Sequence, residues 1–197
     1  NIDVAGGYEG INVSMDETSS MTKNGVSLFV AKIGENNYQS LQAAVDAATD
    51  GQTITLLVDV AQADGVTIDS KNIVVDLNEN TFTVKEGAST NNRNFRIIGT
   101  SVVTIKNGTI EYKHEGDDME WNNYAEIFHV GFGGTLNLEG VTAKNLGGSA
   151  MAYVIDMTNG TDITVNVKNS TLQSTYIPVR VFNNNKNGVH NVAISNT

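Results

Sequence analysis

The feature that most constrains the fold is a pair of apolar residues, separated by one residue, that recurs along the chain. The pairs are Ile54/Leu56, Val75/Leu77, Val103/Ile105, Leu136/Leu138, Val165/Val167 and Val192/Ile194. Their second members are spaced by 21, 28, 33, 29 and 27 residues. Apolar residues at every second position indicate a strand with one buried face. Strands that recur at this spacing predict stacked coils, because each coil can bury its apolar face only against its neighbours.

Polar residues recur in step with the apolar pairs. A threonine follows four residues after the second apolar member in four repeats, at Thr81, Thr109, Thr142 and Thr171. A residue that tolerates positive φ follows two residues after it in the last four repeats, at Asn107, Gly140, Asn169 and Asn196. The second column predicts one left-handed turn at the same corner of each coil.

The composition agrees with a β-solenoid. The chain of 197 residues has one proline and nineteen glycines, and proline is excluded from strands that must donate to a ladder. With 40% hydrophobic and 17% charged residues, it lacks the profile of a disordered chain. A β-sandwich is the alternative, but the Asn-Gly dipeptides at Asn24, Asn107, Asn159 and Asn187 are not each flanked symmetrically by alternating strands.

One amphipathic helix precedes the coils. Ser40 is a good N-cap, Leu41, Ala44, Val45 and Ala48 follow at helical spacing, and Gly51 is placed to end the helix. We expect it to cap the open end of the solenoid. The predicted organisation is a linker or edge segment at 1–25, a strand (26–33) and capping helix within 26–51, and coils over 52–197. We expect the coils to continue beyond the chain end, because no cap follows them.

Charge and composition exclude several classes of function. Twelve basic and twenty-two acidic residues give a formal net charge of −10, which disfavours binding to nucleic acid. No apolar run is long enough for a membrane span, so we expect no membrane insertion. Cysteine is absent, which removes thiolate catalysis. The histidines His114, His129 and His190 show no metal-ligand spacing and are interpreted as incidental.

The longest coil spacing indicates an inserted loop between Glu111 and Phe132. The loop combines carboxylates with aromatic rings, which suits sugar recognition, and loops on a rigid scaffold are common binding sites. Our candidate ligand-binding residues are Tyr112, Asp117, Asp118, Glu120, Trp121 and Tyr124. Such a loop could also hold Ca²⁺. The alternative is a solvated acidic loop with Trp121 packed back on the solenoid. Apart from this Ca²⁺, no cofactor is predicted, and no metal-ligating residues are assigned.

Several runs resemble a known family: 31–34, 38–48, 51–57, 72–78 and 104–110. They are similar to right-handed parallel β-helix surface proteins of bacteria, which are pectate-lyase-like in fold. The resemblance implies an all-β, right-handed parallel β-helix with an extracellular or cell-surface location. The superfamily holds both polysaccharide-cleaving enzymes and non-catalytic adhesins or structural modules, so the fold alone does not choose between them.

The sequence favours the non-catalytic class, and no catalytic residues are assigned. Gly116-Asp117-Asp118 matches a tripeptide of the polygalacturonase-like enzymes, but their accompanying signatures are missing, and 177–180 lacks the Arg-flanked proline of pectate lyases. We therefore predict an adhesin or structural scaffold whose partners are glycans or a host or cell surface, with self-association as a further possibility. The alternative is a polysaccharide lyase or glycoside hydrolase with a site partly outside this chain.

Overall fold

The structure is a computed structural model. It describes residues 2–3, 21–23, 26–27, 29–85, 91–113, 124–146, 151–158, 160–183 and 188–197. Three short strands near the N-terminus form a separate sheet: β1 Ile2–Asp3, β2 Met21–Lys23 and β3 Val26–Ser27.

The rest of the described chain is a β-solenoid of about four turns, as the repeats predict. The elements are β4 Ala31–Ile33, β5 Asn36–Tyr38, α1 Leu41–Ala47, β6 Thr53–Leu56, β7 Val60–Gln62, β8 Val66–Asp69, β9 Asn72–Asp76, β10 Thr81–Lys85, β11 Asn91–Ile98, β12 Val102–Lys113, β13 Tyr124–Val130, β14 Thr135–Asn145, β15 Met151–Met157, β16 Thr164–Lys168, β17 Thr171–Ser174, β18 Ile177–Val181 and β19 Asn191–Ser195. The predicted single strand over 26–33 is two strands, β3 and β4, and β5 follows after a short turn.

The coils stack through two sheets. The larger sheet runs in the order β19-β16-β14-β12-β9-β6-β4-β5, and the smaller one in the order β18-β15-β13-β11-β8. From β6 onward the described pairings between successive coils are parallel, whereas β4 pairs antiparallel with β6 and with β5. The long strands β12 and β14 run on through a corner, so their second halves pair with β10 and β17. Neighbours in space are thus one coil apart in sequence.

The apolar pairs of the first five repeats form the core, with one correction to the alignment, whereas Val192 and Ile194 of the sixth pair are 40% and 49% exposed. Ile105 pairs with Leu138, as predicted, and both are fully buried. On the other side Ile105 pairs with Val75 rather than with Leu77. The second apolar pair is therefore Ile73/Val75 where it meets β12. The two-residue difference is absorbed at the next corner, where Asn78 and Glu79 both have positive φ.

Aromatic rings fill the middle of the solenoid. Phe82 lies 5.1 Å from Phe95 and Phe95 lies 5.8 Å from Phe128, measured between ring centroids. All three side chains are fully buried, and Phe95 and Phe128 occupy the same register position of β11 and β13. This stack ties the two sheets together, because Phe82 belongs to the larger sheet and the other two to the smaller one.

Both polar columns are confirmed. Asn107, Gly140, Asn169 and Asn196 all have left-handed backbones, with φ of 56°, 65°, 49° and 51°. The threonine column is continuous, since Thr81 pairs with Thr109, Thr109 with Thr142 and Thr142 with Thr171. The corner is thus built from a residue that accepts positive φ, followed two residues later by a β-branched threonine, which begins β10 and β17 and lies within the continuous strands β12 and β14.

The outer face of the larger sheet carries charges of alternating sign. Successive strands place Asp76, Lys106, Glu139 and Lys168 side by side in register. The Lys106 ammonium lies 3.3 Å from the Asp76 carboxylate. Each charge therefore has an opposite charge on the neighbouring coil.

The short helix packs against the first coil, as expected of a cap. Its apolar side chains Leu41, Ala44 and Val45 are buried in the core, and the Ser40 hydroxyl accepts a hydrogen bond from the Ala43 amide at 3.0 Å. The predicted end at Gly51 was wrong: the helix ends at Ala47 with an extended cap residue. Gly51, with φ of 82°, instead forms the turn into β6 and donates its amide to the Asn72 carbonyl.

Candidate functional site

Polar side chains converge on the outer face of the smaller sheet. Parallel register places two rows across the coils: Arg93–Glu126–Tyr153, and Arg96–His129–Asp156–Arg180. The flanking residues Phe128, Val130, Ile155 and Met157 belong to the core, so His129 and Asp156 point away from it. The rows bring together residues from four strands, β11, β13, β15 and β18.

We call Arg93, Glu126, His129, Asp156 and Arg180 the buried polar cluster. Glu126 Oε2 accepts hydrogen bonds from Arg93 Nε at 2.9 Å and from His129 Nδ1 at 2.8 Å. The Arg180 guanidinium donates to both oxygens of Asp156, through Nε at 2.6 Å and through Nη2. Each carboxylate therefore has a guanidinium from a neighbouring coil, and the cluster links four coils.

The centre of the cluster is shielded from water although it lies on the outer face. Asp156, Glu126 and His129 are 0%, 1% and 2% exposed. Burial, together with the nearby Glu126 charge, raises the pKa of Asp156 against the opposing effect of Arg180. Burial acts in the same direction on Glu126, but His129 and Arg93 outweigh it and lower the pKa of that carboxyl. The two acids thus differ in proton affinity.

The same three central residues have the chemistry of a metal-ligand set. One ligand atom each from Glu126, His129 and Asp156 lie within 4.8 Å of one another. Both carboxylates are already neutralised by guanidinium groups, however, so a divalent cation would bring positive charge next to two arginines. We interpret the cluster as an ion-pair network rather than as a metal centre.

An aromatic surface adjoins the cluster. The Arg180 guanidinium carbon lies 4.3 Å from the centroid of the Tyr153 ring and 5.8 Å from that of Phe182. Tyr153 in turn contacts Tyr176 edge to face at 5.8 Å. We call Tyr176, Tyr153, Arg180 and Phe182 the aromatic–arginine row. Its two outer rings are open to solvent, with Tyr176 53% and Phe182 52% exposed.

Comparison with known proteins assigns no family to the chain and no function to this site. No protein-family model, no curated protein and no solved structure matches the chain. In the part of the chain that the structure describes, no helix is both long enough and apolar enough to cross a bilayer. The functional interpretation therefore depends on the geometry of the site itself.

The predicted binding loop contributes little to the described structure. Asp117, Asp118, Glu120 and Trp121 lie outside the described residues, and of Tyr124 only the backbone at the start of β13 is described. Tyr112 is 2% exposed and belongs to the core cluster, so its ring packs inside the solenoid. The described residues therefore leave the loop as a prediction and place Tyr112 away from the surface.

His129 corrects one interpretation of the sequence. The interpretation of His129 as incidental is wrong, because His129 lies at the centre of the buried polar cluster and contacts Glu126. The sequence does contain a signal for it: Arg96, His129, Asp156 and Arg180 lie one coil apart from each other. The alignment of repeats used the strands of the larger sheet, so this second column was missed.

A second polar surface lies on the larger sheet. A shallow depression of about 230 Å³ is lined there by residues of β14, β16 and β19, including Asn137, Asn166 and Lys168. Asn166 Nδ2 donates to Asn137 Oδ1 at 2.9 Å, so these amides form a ladder between coils. None of the described residues that line this depression is aromatic, which makes it a weaker candidate for sugar binding than the aromatic–arginine row.

Proposed function

We propose that this chain is a non-catalytic, extracellular β-helix module of a bacterial surface protein. It acts as an adhesin or structural scaffold and contacts glycans through the aromatic–arginine row. The solvent-open rings of Tyr176 and Phe182, held by contacts with Tyr153 and Arg180, carry the proposal. Aromatic faces stack on the apolar faces of sugar rings, and rigid rings bind with little loss of conformational entropy.

The setting of the proposal rests on the sequence resemblance described above. A pectate-lyase-like β-helix and an origin at a bacterial surface would agree with the repeated parallel coils and with a chain that has no cysteine. A stack of coils also suits a scaffold, because each coil is held by its neighbours along the whole length of the solenoid.

One observation favours an enzyme, namely two carboxylates and an imidazole in contact on one sheet face. The alternative function is therefore a polysaccharide lyase or glycoside hydrolase. Paired catalytic carboxylates flank the scissile bond and must reach it. Glu126 and Asp156 are at most 1% exposed and are both bound by arginine, which supports a structural role for the pair.

Polysaccharide binding and cleavage can be measured side by side. Affinity electrophoresis of the chain in gels containing neutral and acidic plant or mucin glycans should show retardation by at least one polymer. The release of new reducing ends should stay at the level of a blank. Phe182→Ala and Tyr176→Ala should each abolish most of the retardation. Release of reducing ends that is lost in both Glu126→Gln and Asp156→Asn would overturn the non-catalytic assignment in favour of the enzyme.

A further inference from the structure

Arg96 lies on the face that carries the candidate site, and its guanidinium has no ion-pair partner among the residues that the structure describes. It lies half-buried in β11, where it pairs in register with His129, and Asp156 and Arg180 follow in the same row. Arg93 and Arg180 each bind a carboxylate. Arg96, by contrast, makes no ion pair and no side-chain hydrogen bond with any described residue. Of the three arginines described on this face, Arg96 is the one without a paired carboxylate.

Within the two rows, the arginines outnumber the carboxylates. Arg93, Arg96 and Arg180 face Glu126 and Asp156 there, and the next carboxylate of this sheet is Asp69 at the end of β8. The whole chain has a formal charge of −10. An isolated cationic position on an acidic protein attracts an anionic group there while the rest of the surface repels polyanions. The guanidinium geometry suits carboxylate or sulfate, since its planar donors can bind two oxygens at once.

The row also has the dimensions of an oligosaccharide site. Arg96 on β11 and Arg180 on β18 are three interstrand spacings apart, which is roughly 14 Å. Beyond Arg180 the face continues into the exposed ring of Phe182, and Tyr176 lies beside it across Tyr153. A chain of several sugars laid across the strands, above the buried His129 and Asp156, would reach from the Arg96 guanidinium to the aromatic rings.

We propose that the glycan bound by this face is anionic, and that Arg96 holds its carboxylate or sulfate substituent. This inference rests on the proposed function and specifies the ligand of the same site. The exposed rings of the aromatic–arginine row hold the sugar rings, and Arg96 selects for the charge at the other end of the row.

Three polymers with one backbone test the selection for charge. Dextran, carboxymethyl dextran and dextran sulfate are compared by affinity electrophoresis at low salt. We expect at least one anionic polymer to bind about tenfold more tightly than dextran, since a charged hydrogen-bond pair contributes at this level. Arg96→Gln should remove that preference. Lys168→Gln, which removes the same charge from the larger sheet, should leave it unchanged. A preference for carboxymethyl dextran or for dextran sulfate identifies the anionic group.

The outcomes separate this inference from the proposed function. Equal binding of all three polymers, or an anionic preference that survives in Arg96→Gln, overturns the role of Arg96. If Phe182→Ala still weakens binding in that case, the glycan-binding function stands. Anionic binding that is lost in Arg96→Gln but unchanged in Phe182→Ala contradicts the role of the aromatic–arginine row. Absence of binding to every polymer, here and in the glycan gels above, contradicts both. Thermal unfolding of each variant shows that the fold is retained.

Discussion

Gln42 in the capping helix completes the hydrogen bonding of Thr67 on the edge of β8. The Gln42 side-chain amide donates to the Thr67 carbonyl at 3.0 Å and accepts from the Thr67 amide at 2.8 Å. Lys71 adds a second link, because its ammonium binds the carbonyls of Asp46 and Ala48 at the end of the helix. The cap therefore works through two kinds of contact: it buries apolar side chains, and it pairs backbone groups that would otherwise lie on an open strand edge.

Removal of the Gln42 amide should destabilise the first coil. Gln42→Ala leaves the Thr67 amide and carbonyl without their partner, so we expect the free energy of unfolding to fall by about 1–2 kcal/mol. Urea unfolding followed by circular dichroism measures the change. Gln173→Ala is the matched control, since the side chain of Gln173 is exposed and has no hydrogen-bonded partner among the described residues. Equal losses in the two variants would contradict the role of Gln42.

The two acids of the buried polar cluster should respond differently to neutralisation. Glu126→Gln removes the charge that His129 and Arg93 stabilise, and we expect it to lower the free energy of unfolding at pH 7 by about 1–3 kcal/mol. Asp156→Asn removes a charge that burial disfavours and leaves an oxygen for Arg180, so we expect a smaller loss. Urea unfolding of both variants at pH 7 compares them, and a larger loss in Asp156→Asn would contradict the assignment.

The same pKa shifts predict opposite pH dependences. The pKa of Glu126 is lowered in the folded protein, so its contribution is present above the unfolded value of 4.5 and is lost as the pH falls through the folded pKa. The pKa of Asp156 is raised, so its contribution is present below the unfolded value of 3.8 and is lost as the pH rises through the folded pKa. The penalty of Asp156→Asn should therefore shrink as the pH rises above the unfolded value of 3.8, while that of Glu126→Gln should not. Urea midpoints measured on both sides of the unfolded values test both signs.

The left-handed corners should tolerate glycine better than a β-branched residue. Asn169 has φ of 49° and an exposed side chain, so substitutions there act mainly through the backbone. We expect Asn169→Gly to be nearly neutral and Asn169→Val to cost about 1–2 kcal/mol. Thermal and urea unfolding provide the comparison. A valine variant as stable as the glycine variant would contradict the role of this corner.

The cost of truncating a repeated apolar residue should follow its burial. Ile105 is fully buried between two coils, whereas Ile194, at the equivalent position of β19, is 49% exposed. Ile105→Ala should therefore cost about 2–5 kcal/mol and Ile194→Ala less than about 1 kcal/mol. The two urea midpoints should differ accordingly. Similar losses at both positions would show that β19 is buried in solution.

Much of the fold could be predicted from the sequence because the same structural requirements recur in each coil of the solenoid. The apolar pairs, the asparagine and glycine corner, and the threonine after it each recur because every coil meets the same steric demand. The alignment failed between Leu77 and Ile105, where a longer corner changes the spacing by two residues. Local periodicity cannot show where such extra residues are absorbed.

The candidate site was harder to predict. Glu126 and His129 lie on β13 and Asp156 lies on β15, and no short motif joins all three. Their polar side chains are buried, whereas an interpretation of a single sequence places apolar residues in buried positions by default. The aromatic–arginine row was missed for a related reason, since its rings come from separate coils and meet only after β15 and β18 have stacked.

The alternating charges on the larger sheet have a consequence for how the coils assemble. Each coil resembles the next in its apolar residues, so a strand could pair with the coil after its proper neighbour at little hydrophobic cost. Such a skip would set Asp76 beside Glu139, or Lys106 beside Lys168, where the native order sets opposite charges side by side. Like charges directly opposite each other are destabilising. The exposed ladder thus distinguishes coils that the core alone would treat as interchangeable, and it favours their stacking in the order of the sequence.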